Sequence, residues 1–115
     1  MPERRILLVE DDPDVAPILE HVLIDEGYSV DVAMTLKEGR SHLDERAYSL
    51  VIADLRLPDG NGLVLADHAA ELGIKTAIIS GYVHRLPPEV ADRHEIMVKP
   101  MRPIELINAV RRLIG

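Results

Sequence analysis

Apolar residues along the chain fall into two alternating patterns. One is a short unbroken run: "RILLV" (Arg5 to Val9), "SLVIA" (Ser49 to Ala53), "KTAIIS" (Lys75 to Ser80) and "EIMV" (Glu95 to Val98). Runs of this length without polar alternation suit strands buried on both faces of a parallel sheet. "YSVDVA" (Tyr28 to Ala33) alternates polar and apolar instead, which predicts an edge strand half exposed to water. The second pattern has helical spacing. Val15, Ile18, Leu19, Val22 and Leu23 form one such stripe, and Ile104, Leu106, Ile107, Val110, Leu113 and Ile114 form another.

Punctuation residues bound these elements. Asp12 as N-cap with Pro13 at the first helical position opens the first helix, and Gly27 ends it. "TLKE" (Thr35 to Glu38) has the spacing of a capping box and opens a second helix reaching about Glu45. A third helix spans roughly Leu63 to Leu72, before Gly73, and the last starts at Pro103. Between Gly81 and His94, Pro87 and Pro88 forbid a helix running through them, so the fourth helix is short, from Pro88 through about Arg93. Strict alternation of strand and helix predicts an α/β fold: a five-stranded parallel doubly wound sheet with right-handed crossovers, in the flavodoxin-like order 2-1-3-4-5. A chain of 115 residues is one domain's worth, so residues 1–115 are read as a single domain.

Composition narrows the picture in three ways. Aromatics make up 3%, with no Phe or Trp, so the core is aliphatic. A formal charge of -7 repels a phosphate backbone and argues against direct nucleic-acid binding; the pairs Arg4-Arg5 and Arg111-Arg112 are too small to form a basic patch. The absence of cysteine excludes disulfide and thiolate chemistry, and "ILLV" after the first arginine pair is too short for a signal peptide or membrane span. A cytoplasmic protein without membrane contact is expected. His21, His42, His68, His84 and His94 share no short metal-ligand spacing; those in helical segments read as solvated, and none is assigned chemistry.

In open α/β sheets, ligands bind beyond the carboxyl ends of the strands, near the point where strand order reverses. The first strand ends in Glu10, Asp11 and Asp12, the third in Asp54, the fourth in Ser80 and Gly81, and the fifth in Lys99. Carboxylates from two adjacent strands make the hard, incomplete oxygen cage that Mg²⁺ favours. A lysine and a hydroxyl supply charge and a hydrogen bond to phosphoryl oxygens. A carboxylate in that setting can itself be the nucleophile, forming an acyl phosphate. The constellation predicts phosphoryl transfer onto an aspartate. Asp12, Asp59 and Asn61 are more simply cap and turn residues.

"ILLVEDDP", "VIADLRLPDGNG", "IISGY" and "VKPM", in this order, make the chain resemble the receiver domain of two-component response regulators over essentially its whole length. The resemblance implies that Asp54 accepts a phosphoryl group from the phosphohistidine of a histidine kinase or histidine phosphotransfer protein. Asp11 would ligate Mg²⁺ directly, Glu10 mainly through water, and Arg56 through its backbone carbonyl. Ser80 would be the switch hydroxyl and Lys99 the ion-pairing lysine, with a cis Lys99-Pro100 peptide.

The chain departs from the family at particular positions. Ile96 stands where an aromatic usually rotates with the switch hydroxyl, Met101 replaces a frequent aromatic, and the fourth helix is shortened. The segment Gly81 to His94 is expected to be a mobile loop with a short helix that phosphorylation orders. Arg56 and Tyr82, each two residues after a key group, flank the path of an attacking water. Aspartate phosphatases carry an acid at the first of these positions, which Arg56 cannot replace. The reading is therefore a phosphoacceptor switch that catalyses only its own modification, a monomer or weak dimer through the last helix, read by a downstream protein. A degenerate receiver that binds partners unphosphorylated is the alternative; a Mg²⁺-dependent phosphohydrolase is disfavoured by Arg56, and a flavin module lacks an aromatic platform. The chain stops with its last helix at Gly115, so no output domain follows within it. That fits a free-standing regulator and a segment of a longer regulator or hybrid kinase equally.

Overall fold

The computed structural model describes residues 4–81 and 86–115. Elements follow in the order β1 (Arg5–Val9), α1 (Val15–Asp25), β2 (Ser29–Ala33), α2 (Leu36–Glu45), β3 (Leu50–Asp54), β4 (Arg56–Leu57), β5 (Gly60–Asn61), α3 (Gly62–Glu71), β6 (Lys75–Ser80), α4 (Pro88–Arg93), β7 (Glu95–Val98) and α5 (Pro103–Ile114). Five strands form a parallel sheet in the order β2-β1-β3-β6-β7, which is the expected flavodoxin-like order. The β4-β5 pair is a separate two-residue antiparallel ladder inserted after β3.

The sheet carries an aliphatic core on each face. Ile6, Leu8, Leu50, Ile52 and Ile79 pack with Leu19 and Leu23 of α1 and Leu106 and Val110 of α5. Alternate residues Leu7, Val9, Val51, Ala53 and Ile78 pack on the other face with Leu43 of α2 and Leu65, Ala66 and Ala69 of α3. Successive residues of β1 and β3 serve opposite layers, which is why both strands read as unbroken apolar runs. β2 lies at the edge with only Ala33 fully buried, as its alternation predicts. Ile18 and Ile104 depart from expectation: counted in the apolar stripes of α1 and α5, they are 58% and 50% exposed, while Leu19, Leu23, Leu106 and Val110 of the same stripes reach the core.

Helix entry follows the capping residues. The Asp12 side chain accepts from Asp14 N at 2.9 Å, and its carbonyl accepts from Ala16 N at 3.0 Å, so Asp12 starts the first turn although regular helix begins at Val15. Thr35 accepts from Glu38 N at 3.1 Å and Asn61 from Leu63 N at 2.8 Å. α4 spans six residues from Pro88, as the prolines dictate. Tyr82 and the residues through Arg85 lie outside the described residues, as does any reading of that stretch as a loop.

Two polar networks tie down the amino-terminal side of the sheet. Asp31 of β2 accepts from Tyr48 Oη at 2.7 Å and pairs with Arg5 at 3.2 Å and Arg46 at 3.7 Å. Burial would raise the Asp31 carboxyl, but Tyr48, Arg5 and Arg46 together hold it below the usual range. The second network centres on His94, which is 3% exposed. Its Nε2 lies 2.7 Å from Asp67 of α3, and its Nδ1 is hydrogen-bonded to Thr76 of β6. His94, assigned no chemistry from the sequence, joins α3, β6 and the end of α4. Replacing it by Leu leaves Thr76 and Asp67 without these partners. Thr76 is buried and keeps only a long bond to Arg93 O, while Asp67 is partly exposed and keeps Arg93, so we expect His94→Leu to lower the unfolding free energy by about 1–2 kcal/mol. His21→Leu, at an exposed position, should shift it by less than about 0.5 kcal/mol. Urea unfolding of the two variants checks this.

Candidate functional site

All five strands run parallel, so their carboxyl ends share one edge, and the polar residues that follow them meet there. β1 and β3 are neighbours in register through Val9 and Ala53, which sets Glu10 and Asp11 beside Asp54. β6 and β7 carry Ser80 and Lys99 up to the same edge, joined by Lys99 N donating to Ser80 O at 3.1 Å. Glu10, Asp11, Asp54, Arg56, Ser80 and Lys99 all line one open cleft of about 720 Å³, together with Asp12, Pro13, Leu55 and Gly81. Every described residue singled out from the sequence for this site is therefore in it except Ile96. That residue lies half-buried in β7, packed against the core layer facing α2 and α3.

Burial and pairing differ among the acids. Asp54 is 5% exposed; its Oδ1 accepts from Arg56 N at 3.0 Å and its Oδ2 accepts from the Lys99 ammonium. Glu10 is fully buried, its Oε1 accepting from Asp12 N at 3.2 Å. Its Oε2 is buried without a hydrogen bond, with Lys99 Nζ 3.5 Å away. One carboxylate oxygen each from Glu10, Asp11 and Asp54 lie within 4.8 Å of one another. Three carboxylates this close repel unless a cation or a proton relieves them.

The titration of Glu10 reflects this. Burial, with the hydrogen bond and charge of Asp54 adding to it, pushes its carboxyl up to about 7. Burial alone would lower the Lys99 ammonium, but Asp54 and then Glu10 outweigh it and hold Lys99 above its usual range. Lys99 thus stays charged while the acids around it share its compensation.

The loop after Asp54 is shaped by close approach. A Cβ on Gly62 would sit 2.0 Å from Asp54 O, so no side chain fits there while the backbone keeps this course. Gly62 N donates to Leu55 O at 2.8 Å, closing the loop. Asp59, read as a turn or cap residue, caps at a distance: its carboxylate accepts from Leu36 N at 2.8 Å and Lys37 N at 3.1 Å at the start of α2. The Leu36 amide, with burial opposing and the Lys37 amide adding, holds the Asp59 carboxyl below its usual range. The Lys99-Pro100 peptide is cis, as expected.

Comparison with known proteins agrees with this geometry. Residues 6–111 match the response regulator receiver domain family. The chain belongs to this family. It is 30% identical over 116 residues to the response regulator receiver protein CpdR of Brucella abortus, covering 96% of this receiver and 97% of CpdR. It is 37% identical over 75 residues to the transcriptional regulatory protein DltR of Streptococcus agalactiae, covering 65% of this receiver but 34% of DltR. It thus spans about a third of that longer regulator. Among solved structures, the response regulator TrrA of Thermotoga maritima, in complex with Mg²⁺-BeF, superposes with a TM-score of 0.86 at 29% identity, covering 96% of this receiver and 98% of TrrA.

Glu10 yields a pH test. Between its ordinary value of 4.5 and about 7, the folded receiver keeps a proton at Glu10 that the unfolded chain has released. The folded state binds more protons, so its metal-free stability falls as pH rises through that window and levels off above it. Asp31, Asp59 and Glu105, held below their usual ranges, act on the acid side instead. In chelator, Glu10→Gln should show a flatter stability profile from pH 4.5 to 7 than the wild type, read by urea unfolding at stepped pH. Parallel profiles would contradict the assignment.

Proposed function

We propose that this receiver is a phosphoacceptor of a two-component or phosphorelay system. Asp54 takes a phosphoryl group from a phosphohistidine on a histidine kinase or histidine phosphotransfer protein, and a downstream protein reads the changed surface. One observation carries the reading: a carboxylate buried at a strand's carboxyl end is hydrogen-bonded to Lys99 and shares an open cleft with three further acids and a hydroxyl. In the step, one Asp54 oxygen bonds to phosphorus while the phosphorus–nitrogen bond to the donor imidazole breaks, the bonding pair leaving with that nitrogen.

The acids suit Mg²⁺. They are hard oxygen donors, and the buried Oε2 of Glu10, without a hydrogen bond and with Lys99 Nζ no nearer than 3.5 Å, is an acceptor that further positive charge would satisfy. Asp11, Asp54 and the Arg56 carbonyl would hold the ion, with Glu10 acting mainly through water. Bound there, Mg²⁺ supplies charge against the phosphoryl oxygens. Lys99 would add a second positive charge for the same oxygens, and Ser80 would offer them a hydroxyl. The TrrA complex with Mg²⁺-BeF supports this use of the shared fold.

Arg56 governs the lifetime of the acyl phosphate. No acid stands two residues after Asp54, so a water attacking the acyl phosphate finds no general base there, and the modified state is slow to hydrolyse. The receiver is thus a switch and not a turnover enzyme. Val98 of β7 and Ile104 of α5, 47% and 50% exposed, offer apolar surface to the downstream partner. The complete set of acid, hydroxyl and lysine argues against a degenerate receiver.

Intact mass after incubation with acetyl phosphate and Mg²⁺ tests the reading. One phosphoryl group should appear on the wild type and none on Asp54→Asn; no addition to either protein overturns it. In the same assay, Arg56→Asp should shorten the lifetime of the modified state by about tenfold or more, since it restores an acid beside the acyl phosphate.

A further inference from the structure

Asp59 stands in the turn between β4 and β5, and its carboxylate reaches another element. It takes the N–H groups of Leu36 and Lys37, the first two donors of α2. α2 provides for the rest of its entry locally, through Thr35 accepting from Glu38 N and Glu38 accepting from Met34 N at 3.1 Å. The hairpin touches the same helix a second time. A Cβ on Gly60 would lie 2.9 Å from Leu36 Cδ1, so the turn rests against the first residue of α2. Leu57, 9% exposed, and Leu36 belong to the same core layer.

Arg56 is on this hairpin, paired with Asn61, and follows Asp54 by two residues. A ladder of two residue pairs does not hold a fixed geometry in water by itself. We propose that Asp59 is a positioning residue: by clamping the β4-β5 hairpin to the start of α2, it fixes the Arg56 carbonyl where the divalent cation binds. This rests on the reading of the cleft as a Mg²⁺ site. Arg56 N to Asp54 Oδ1 and Gly62 N to Leu55 O hold the base of the hairpin, so without the clamp it is the tip that must be ordered when the ion binds, and that entropy is subtracted from the affinity. Partners of this kind, one step removed from the ligand, commonly change metal affinity by an order of magnitude.

The test is Mg²⁺ titration by calorimetry of the whole receiver, with far-UV circular dichroism as the check of folding. Asp59→Ala should bind Mg²⁺ about tenfold more weakly than wild type. Asp59→Asn keeps one carbonyl acceptor for α2 and should fall between, carrying the test if the Ala variant does not fold. Thr35→Ala removes a cap from the same helix without touching the hairpin, and should bind within about twofold of wild type. Unchanged affinity in both Asp59 variants overturns the proposal. So does an equal loss in Thr35→Ala, which would make Asp59 only a support of α2. A wild type that takes up no Mg²⁺ overturns the reading of the cleft itself.

Discussion

Lys99 makes it possible for two carboxylates to be buried side by side. Asp54 and Glu10 are 5% and 0% exposed, and unpaired burial would drive each to take up a proton. The ammonium, hydrogen-bonded to Asp54 and 3.5 Å from Glu10, neutralises one negative charge and is divided between two. Burial, with the neighbouring Asp54 adding to it, pushes the Glu10 carboxyl up to about 7 against the weaker pull of Lys99. Breaking a fully buried pair costs about 3–5 kcal/mol. The Lys99 side chain is 35% exposed, so water returns part of that here. The arrangement leaves the two buried carboxylates under-compensated by about one charge, with Asp11 adding to the deficit beside them, which is the condition a cation or a proton can relieve.

That condition depends on the sheet. Parallel strands deliver all their carboxyl ends to one edge, and helices on both faces allow residues such as Leu7 and Leu8 to be buried equally. The aliphatic core gives the strands no polar partners of their own, so the acids cannot retreat into it. Gly62 lets the chain turn across the Asp54 carbonyl and start α3 at once, which confines the loop to a small hairpin over the cleft.

Most of this architecture was legible from the residues. The bounds of β1, β6, β7 and α4 and the start of α5 coincide with the expected ones, because Pro88, Pro103 and the unbroken apolar runs leave little choice. The acids, Ser80 and Lys99 were legible because each follows directly on a strand. Other features carry no local pattern. The β4-β5 ladder is too short for periodicity, and the Asp59 cap joins residues more than twenty positions apart. His94 looks like any residue ending a short helix; its burial arises only when α3 brings Asp67 against it. Ile18 satisfies helical spacing yet stays exposed, since periodicity identifies a stripe but not how far the neighbouring layer covers it.

The two ends of the sheet differ in how completely their charges are met. On the amino-terminal side, Asp31 has a tyrosine hydroxyl and two arginines, and Asp67 has His94 at 2.7 Å and Arg93 at 3.4 Å. Each of these acids has at least two donors of its own, and each ties together elements distant in sequence. On the carboxyl side, Asp54 and Glu10 share one lysine with Asp11 beside them, and Glu10 Oε2 has no hydrogen bond, only Lys99 Nζ at 3.5 Å. Satisfied networks rigidify the elements they join, whereas an incompletely satisfied one responds to any added charge. The fold therefore holds its strands from one end and keeps the other responsive. Lys99 is joined to Asp54 through its side chain and to Ser80 through its main-chain N–H, so the responsive acids and the ends of β6 and β7 meet at one residue.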